Sequence, residues 1–259
     1  MAIITLTTDL GIKDYYVSAI KGSILKILPQ ATIVDITHQI APFDILQASF
    51  ILKNAYKEFP EGTIHLIGIN SEVNNKVKHF AIEMNQHFFV GADNGIFSLM
   101  FDSSPTKTIL LGNSLPTDSP SFPAKDILVR TACYIAEKGE IDTLGKAGPL
   151  LVERKLLQPI INEKSIRGNV IFVDGYENVI TNITRELFDG VSKNRKFNVF
   201  FRNSDYDVNK VSLRYNDVPE GEMLIMYGST GYLEIAINKG RASGLLGLKP
   251  GDTIRIEFE

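Results

Sequence analysis

Three things are scarce in this chain of 259 residues: cysteine, histidine and long apolar runs. The lone Cys133 cannot close an internal disulfide, and it sits in the helical pattern "LVRTACYIAEKG", where a small buried thiol is inert. No apolar stretch approaches the ~20 residues of a membrane helix, so no membrane partner is expected. Basic residues are not in excess either. Lys and Arg number 27 against 30 Asp and Glu, a net charge of -3. That balance argues against nucleic acid as a partner, because phosphate binding draws on clustered cations. The opening "MAIITLTTDLG" carries no basic, apolar leader, which makes a cytoplasmic location the expectation. No G-x-G-x-x-G, phosphate-loop or H-E-x-x-H pattern is present. His65, His79 and His87 share no metal-ligand spacing, so neither a metal nor a cofactor is expected.

What is present is an ordinary globular balance, 44% hydrophobic and 22% charged, in a chain long enough for one large domain or two modest ones. The first half alternates two periodicities. Strands are expected in "AIITLTTD", "ATIVDITH", "TIHLIGIN", "HFAIEMN" and "HFFVGADNG". Helices are expected in "DYYVSAIKGSILKILP", "DILQASFILKNAYKEFP" and "AKDILVRTACYIAEKG". Asp44 stands at an N-cap, and Pro29, Pro60 and Gly139 at the stops. Strands separated by helices of this length predict a central sheet flanked by helices. From Ile166 onward the runs are short, alternating and divided by Gly, Asn and Asp, which predicts an antiparallel sheet or small barrel. The expected domains are 1–160, α/β, and 161–259, β.

In open α/β sheets ligands bind beyond the carboxyl ends of the strands. Four such ends are polar here: Asp9, His38, Asn70 and Asp93-Asn94. Asp9 either caps the following turn or accepts both hydroxyls of a ribose diol. His38 is either a hydrogen-bonded structural residue or a catalyst. "ADNG" alone reads as a type I′ turn.

The ends are not independent. "TTDLGIKDYYVSAIKGSI", "IVDITHQIAPFDILQAS", "FPEGTIHLIGIN", "GADNGIFS", "YENVITNI" and "GSTGYLEIAINKGRAS", in this order, resemble the S-adenosylmethionine hydroxide adenosyltransferases, whose family includes fluorinases and chlorinases. The resemblance covers nearly the whole chain. It implies an α/β domain followed by a smaller antiparallel β-barrel, a homotrimer with sites between subunits, and displacement at the ribose C5′ by water to give adenosine and methionine. S-adenosylmethionine enters as substrate or ligand. By the same resemblance Asp9 matches the ribose-binding acid, Asp14 a second polar position of that loop, and Phe43 an aromatic lining the ribose pocket. Asp174 and Ser229 match positions holding the methionine end. Tyr176 and Asn178 match the aromatic and amide of an F-G-N pattern near adenine, with Glu177 in place of the glycine.

The departures fall on the chemistry. Hydrolases of this family end the third strand in a motif like V-D-P-G-V-G with an arginine beyond. Here it is "INSEVN", with Asn70 at the aspartate position and Val77 near the arginine position. The F-H-G-R-D motif appears as "FPAKD", Phe122 to Asp126, with Pro123 in place of histidine. An amide takes no proton at neutral pH, and Lys76, Lys78 and Lys125 do not reproduce a guanidinium fork. Ser71 and Ser121 are the nearby hydroxyls for a halide, yet "SEVNN" does not match the halogenase loop. Two expectations follow: cleavage of the C5′–S bond with a non-standard set of residues, or binding of S-adenosylmethionine or adenosine without turnover.

Overall fold

The computed structural model describes residues 2–72, 78–112, 121–149, 151–201, 204–206 and 208–259. The chain divides into two compact units, 1–155 and 156–259.

In the first unit β1 (Ile3–Thr8) leads through α1 (Tyr16–Ile27) to β2 (Thr32–Thr37), and α2 (Ile45–Ala55) leads to β3 (Ile64–Gly68). A hairpin of β4 (His79–Met84) and β5 (His87–Ala92) follows, then the short α3 (Ile96–Met100) and β6 (Lys107–Leu111). A π-type turn, Ala124–Leu128, opens directly into α4 (Val129–Lys138), and β7 (Gly145–Ala147) closes the sheet. The strand order is β2-β1-β3-β5-β4-β6-β7, with parallel pairing from β2 to β5. β2 and β3 flank β1 on opposite sides, so the connection order reverses there and a crevice opens at the carboxyl ends of β1 and β3.

Strand alternation sorts the core. Ile4, Leu6, Ile64, Leu66 and Val90 face Ile20 and Ile24 of α1 and Val129 and Ala132 of α4. The alternate residues Thr5, His65 and Phe89 turn to the other face, where Tyr56 lies edge-on to His65, His87 and Phe89. Apolar residues at helical spacing give α1 its buried stripe. Asp44 caps α2 by accepting the Gln47 N–H at 2.9 Å. Gly139 ends α4 at φ +71°, the left-handed conformation glycine adopts freely. Cys133 is buried in α4, and that burial pushes its thiol up to about 11.

Two local expectations change. "ADNG" is not a hairpin turn: β5 runs on into α3, because Asn94 accepts the Ile96 N–H and starts a helix. The stretch from Gly145, for which no helix or strand was expected, supplies strand β7, and its continuation is tied to the first unit by the Val152 N–H on the Asp93 carboxylate.

The second unit contains β8 (Ile160–Asn162), β9 (Ser165–Val173), β10 (Val179–Thr184), α5 (Arg185–Ser192), β11 (Phe197–Phe201), β12 (Ser204–Tyr206), β13 (Val211–Ser212), β14 (Met223–Tyr227), β15 (Tyr232–Ile237), α6 (Ala242–Leu246) and β16 (Thr253–Phe258). Its sheet runs β12-β11-β16-β9-β10-β15-β14-β13, with β8 added on β9. The pairs are antiparallel except β13 with β14. Among the described residues β12 and β13 are the two ends of the ladder, so the antiparallel sheet is present and its closure into a barrel is not seen. Helix α5 packs on the core of this sheet. Thr184 caps it by accepting the Leu187 N–H, and Phe188 inserts against Phe197 and Phe258.

Candidate functional site

The crevice of the first unit is built around Asp9, the residue after β1. Asp9 Oδ2 accepts the Phe43 N–H at 2.9 Å and the Asn70 N–H at 3.4 Å. One carboxylate therefore gathers three of the residues singled out in the sequence, from the ends of β1 and β3 and the loop before α2. Among the described residues no donor is assigned to Asp9 Oδ1. Phe43 is at φ +67° and Asn70 at φ +43°. Asparagine tolerates that region, but a bulky aromatic there is strained by about 1–3 kcal/mol. Phe43 is nonetheless 63% exposed. The Asp9 carboxylate thus holds the backbone of a residue whose ring is left to solvent.

Around Asp9 the supports run from buried Thr8 and His38 out to the surface at Asp35 and Lys21. Thr8 Oγ1 lies 2.8 Å from His38 Nδ1, and His38 Nε2 lies 3.1 Å from Asp35 Oδ1. Asp35 Oδ2 accepts from Lys21 at 2.6 Å. Burial raises the Asp35 carboxyl, but Lys21 and His38 outweigh it and hold the group below its ordinary range. Asn94 donates to the Ile69 carbonyl at 3.0 Å and so steadies the strand end that carries Asn70. Asp93 is raised by burial, with the Val152 and Gly95 amides opposing. His79, lowered by burial, meets the Ser71 carbonyl at 2.9 Å. Asp14 is exposed in the bend before α1 and does not join the Asp9 cluster.

The positions where the chemistry departs are structured as well. Pro123 is buried and precedes the π-type turn, a feature that recurs at functional sites. A Cβ added at Gly68 would lie 3.3 Å from Ala124 Cβ and 3.2 Å from Thr8 Cγ2, so this turn sits against the ends of β1 and β3. Lys125 pairs with Asp126 at 2.8 Å, and Asp126 Oδ2 is a buried acceptor with no partner among the described residues. Neither Thr8, Asp35 nor Asp126 was singled out from sequence, since each is an ordinary residue until the fold orients it. Val77 and Lys76 lie outside the described residues.

In the second unit Asp174 organises the turn between β9 and β10. Its Oδ1 accepts the N–H groups of Tyr176 (2.9 Å) and Asn178 (2.8 Å), and its Oδ2 accepts the Asn178 side chain at 3.0 Å. Tyr176 is left 82% exposed. Glu177 is at φ +64°, which explains why the family pattern has glycine there. This chain keeps the turn by other means: the Glu177 carbonyl accepts the Ser243 N–H and its carboxylate the Gly244 N–H, with Arg241 alongside. Ser229 is exposed in the β14–β15 loop. Sequence reasoning missed Glu234 on β15, buried, accepting from Tyr215 at 2.7 Å. Its carboxyl is raised by burial, Tyr215 opposing and Asp174 adding to the rise.

Among the described residues no three of His, Cys, Asp and Glu converge as metal ligands, and no helix is long and apolar enough to cross a membrane.

The chain is a two-domain protein, an α/β unit with polar residues at its switch point followed by a β unit. Residues 4–145 match the SAM hydroxide adenosyltransferase N-terminal domain and residues 168–255 the C-terminal domain. The chain belongs to the SAM hydroxide adenosyltransferase family. It is 28% identical to an (R)-S-adenosyl-L-methionine hydrolase of Thermus thermophilus, over 96% of this chain and 97% of the relative. It is 21% identical to a fluorinase of Nocardia brasiliensis, over 98% and 96% respectively. A solved structure of an uncharacterized conserved protein from Thermotoga maritima superposes with a TM-score of 0.89 at 31% identity, covering 98% and 99% of the two chains.

Proposed function

We propose that this protein binds S-adenosylmethionine and cleaves its C5′–S bond with water, releasing adenosine and methionine. The observation that carries this reading is the convergence of Asp9, Phe43 and Asn70 at the switch-point crevice, in a chain matched to the family in both domains. Asp9 accepts the ribose hydroxyls, and Phe43 packs on the sugar. Asp174, Tyr176, Asn178 and Ser229 serve the methionine and adenine ends, and Asp14 edges the ribose loop. The protein acts as a homotrimer and needs no cofactor.

In the step itself the water oxygen bonds to C5′ as the C5′–S bond breaks. Sulfur keeps the electron pair and leaves as the neutral thioether of methionine, and the water proton passes to solvent. A sulfonium is so good a leaving group that no strong base is required at position 70. The Asn70 amide orients the water by donating or accepting a hydrogen bond, and positioning supplies most of the rate. The higher identity to the hydrolase than to the fluorinase, 28% against 21%, supports water over halide as the acceptor.

Incubating the protein with S-adenosylmethionine and following adenosine and methionine by chromatography tests this. Release in equal amounts is the expected result; no product above a buffer blank over a day rejects it. The second reading is a binder without turnover, favoured by Asn70 and Pro123 at the positions where hydrolases resembling this chain carry acid and histidine. Calorimetry that finds binding alongside a blank turnover assay selects it.

A further inference from the structure

We propose that His38 is the positioning residue of the Asp9 loop, fixing both ends of the turn that presents the Asp9 carboxylate to a nucleoside diol. The inference rests on the nucleoside reading of this site and adds to it a residue outside the ligand contacts. Three hydrogen bonds hold residues 8–11, and two of them end on His38, one on its ring and one on its backbone carbonyl. Its ring meets Thr8 Oγ1 at 2.8 Å on one side of Asp9. Its carbonyl accepts the Gly11 N–H at 2.8 Å on the other. Between them the Leu10 N–H reaches the Thr8 oxygen at 3.4 Å. Gly11 is at φ +69°, so the turn reverses direction tightly. Among the described residues the Asp9 side chain is bonded outward, to the backbones of Phe43 and Asn70.

The donor directions are consistent in one tautomer. Asp35 Oδ1 lies 3.1 Å from His38 Nε2, at ion-pair distance though off hydrogen-bond geometry, and its negative charge favours the proton on that nitrogen. Nδ1 is then an acceptor, the Thr8 hydroxyl donates to it, and the Thr8 oxygen remains free to accept from Leu10. The reverse tautomer places a ring N–H against Thr8 and sends the hydroxyl proton into a buried space, since Thr8 is fully buried and His38 nearly so. Lys21 completes the chain by holding Asp35 from α1. This is how a neighbouring carboxylate orients an imidazole for work on its other nitrogen, used here to hold a loop.

The test compares adenosine binding by calorimetry in the parent, His38→Ala, His38→Asn and Thr8→Val. His38→Ala loses roughly tenfold in affinity. His38→Asn regains most of it, because its side-chain oxygen reaches the place of Nδ1. Thr8→Val, which keeps the volume and removes only the hydroxyl, matches the loss while melting close to the parent. A folded His38→Ala or Thr8→Val binding within twofold of the parent overturns the proposal. If His38→Ala does not fold, Thr8→Val decides alone. Amide hydrogen exchange over residues 8–14 separates this idea from the one it rests on. Should the parent bind no nucleoside, the proposed function falls. Faster exchange at Leu10 and Gly11 in Thr8→Val would still show the hold, and unchanged protection would overturn it.

Discussion

The Phe43 N–H donates to Asp9 Oδ2 at 2.9 Å, tying a strained, exposed aromatic to the carboxylate at the end of β1. Asp9→Ala removes this anchor and the Asn70 contact together. Charged hydrogen bonds of this kind are worth about 1.5–3 kcal/mol. The expected result is a loss of adenosine affinity of roughly 10- to 100-fold, with Asp9→Asn intermediate, since its amide oxygen still accepts. Titration calorimetry reads it; parent-like affinity in Asp9→Ala removes Asp9 from the ligand site.

The same bond makes an unusual stability ordering. At φ +67° alanine is strained and glycine is not, so Phe43→Gly should be more stable than Phe43→Ala by about 1 kcal/mol. An exposed position in ordinary backbone would show little difference or the opposite order. Urea midpoints decide it, and an alanine variant equal to or above the glycine variant contradicts the strain. Both variants should lose nucleoside affinity, because neither keeps the ring.

Acid should destabilise the first domain through His65. Its Nδ1 meets Thr5 at 2.8 Å and its Nε2 meets His87 at 3.1 Å. Burial, with His87 adding, lowers its pKa to about 3. The unfolded chain takes up a proton near pH 6.5 and the folded one only near 3. Stability is therefore full above pH 6.5 and is lost as pH falls toward 3, at about 1.4 kcal/mol per unit for one proton. Burial also lowers His87, which acts in the same direction. His65→Gln should flatten the pH dependence of denaturant midpoints between pH 6 and 3.5. Parallel curves for parent and variant would exclude His65 as the source.

Restoring the hydrolase set should raise turnover. Asn70→Asp places a carboxylate after β3, where the hydrolases that this chain resembles carry one and a base can act. Pro123→His and Val77→Arg complete the set. Adenosine release by the triple variant should exceed that of the parent. Each single change should give less than its share, because groups acting as a unit are non-additive. A folded triple variant that binds substrate and releases adenosine no faster than the parent refutes the idea that these positions limit the chemistry. Pro123 is the risk, since it fixes the backbone before the π-type turn.

Periodicity marked most elements of the first domain: β-branched runs for β1 and β3, apolar spacing for α1, and the Asp44 and Gly139 boundaries appear in the structure where local chemistry puts them, while α3, β6 and β7 carried no such signal. The order of six motifs determined the family, because polar residues at strand ends are set by what they must touch. Tertiary structure decided the rest. That Asp9 meets Phe43 and Asn70, or that His38 stands between Thr8 and Asp35, depends on the strand order β2-β1-β3, which no local pattern carries. His65 and His87 looked unrelated in sequence, and pairing of adjacent parallel strands β3 and β5 put their rings in contact. In the second domain α5, a helix of only eight residues in a β-rich stretch, brings Phe188 to the core, a placement that only the fold reveals. Local propensity is fixed by the neighbours in the chain. Long-range pairing is fixed by the burial of whole faces, and only the folded molecule expresses that.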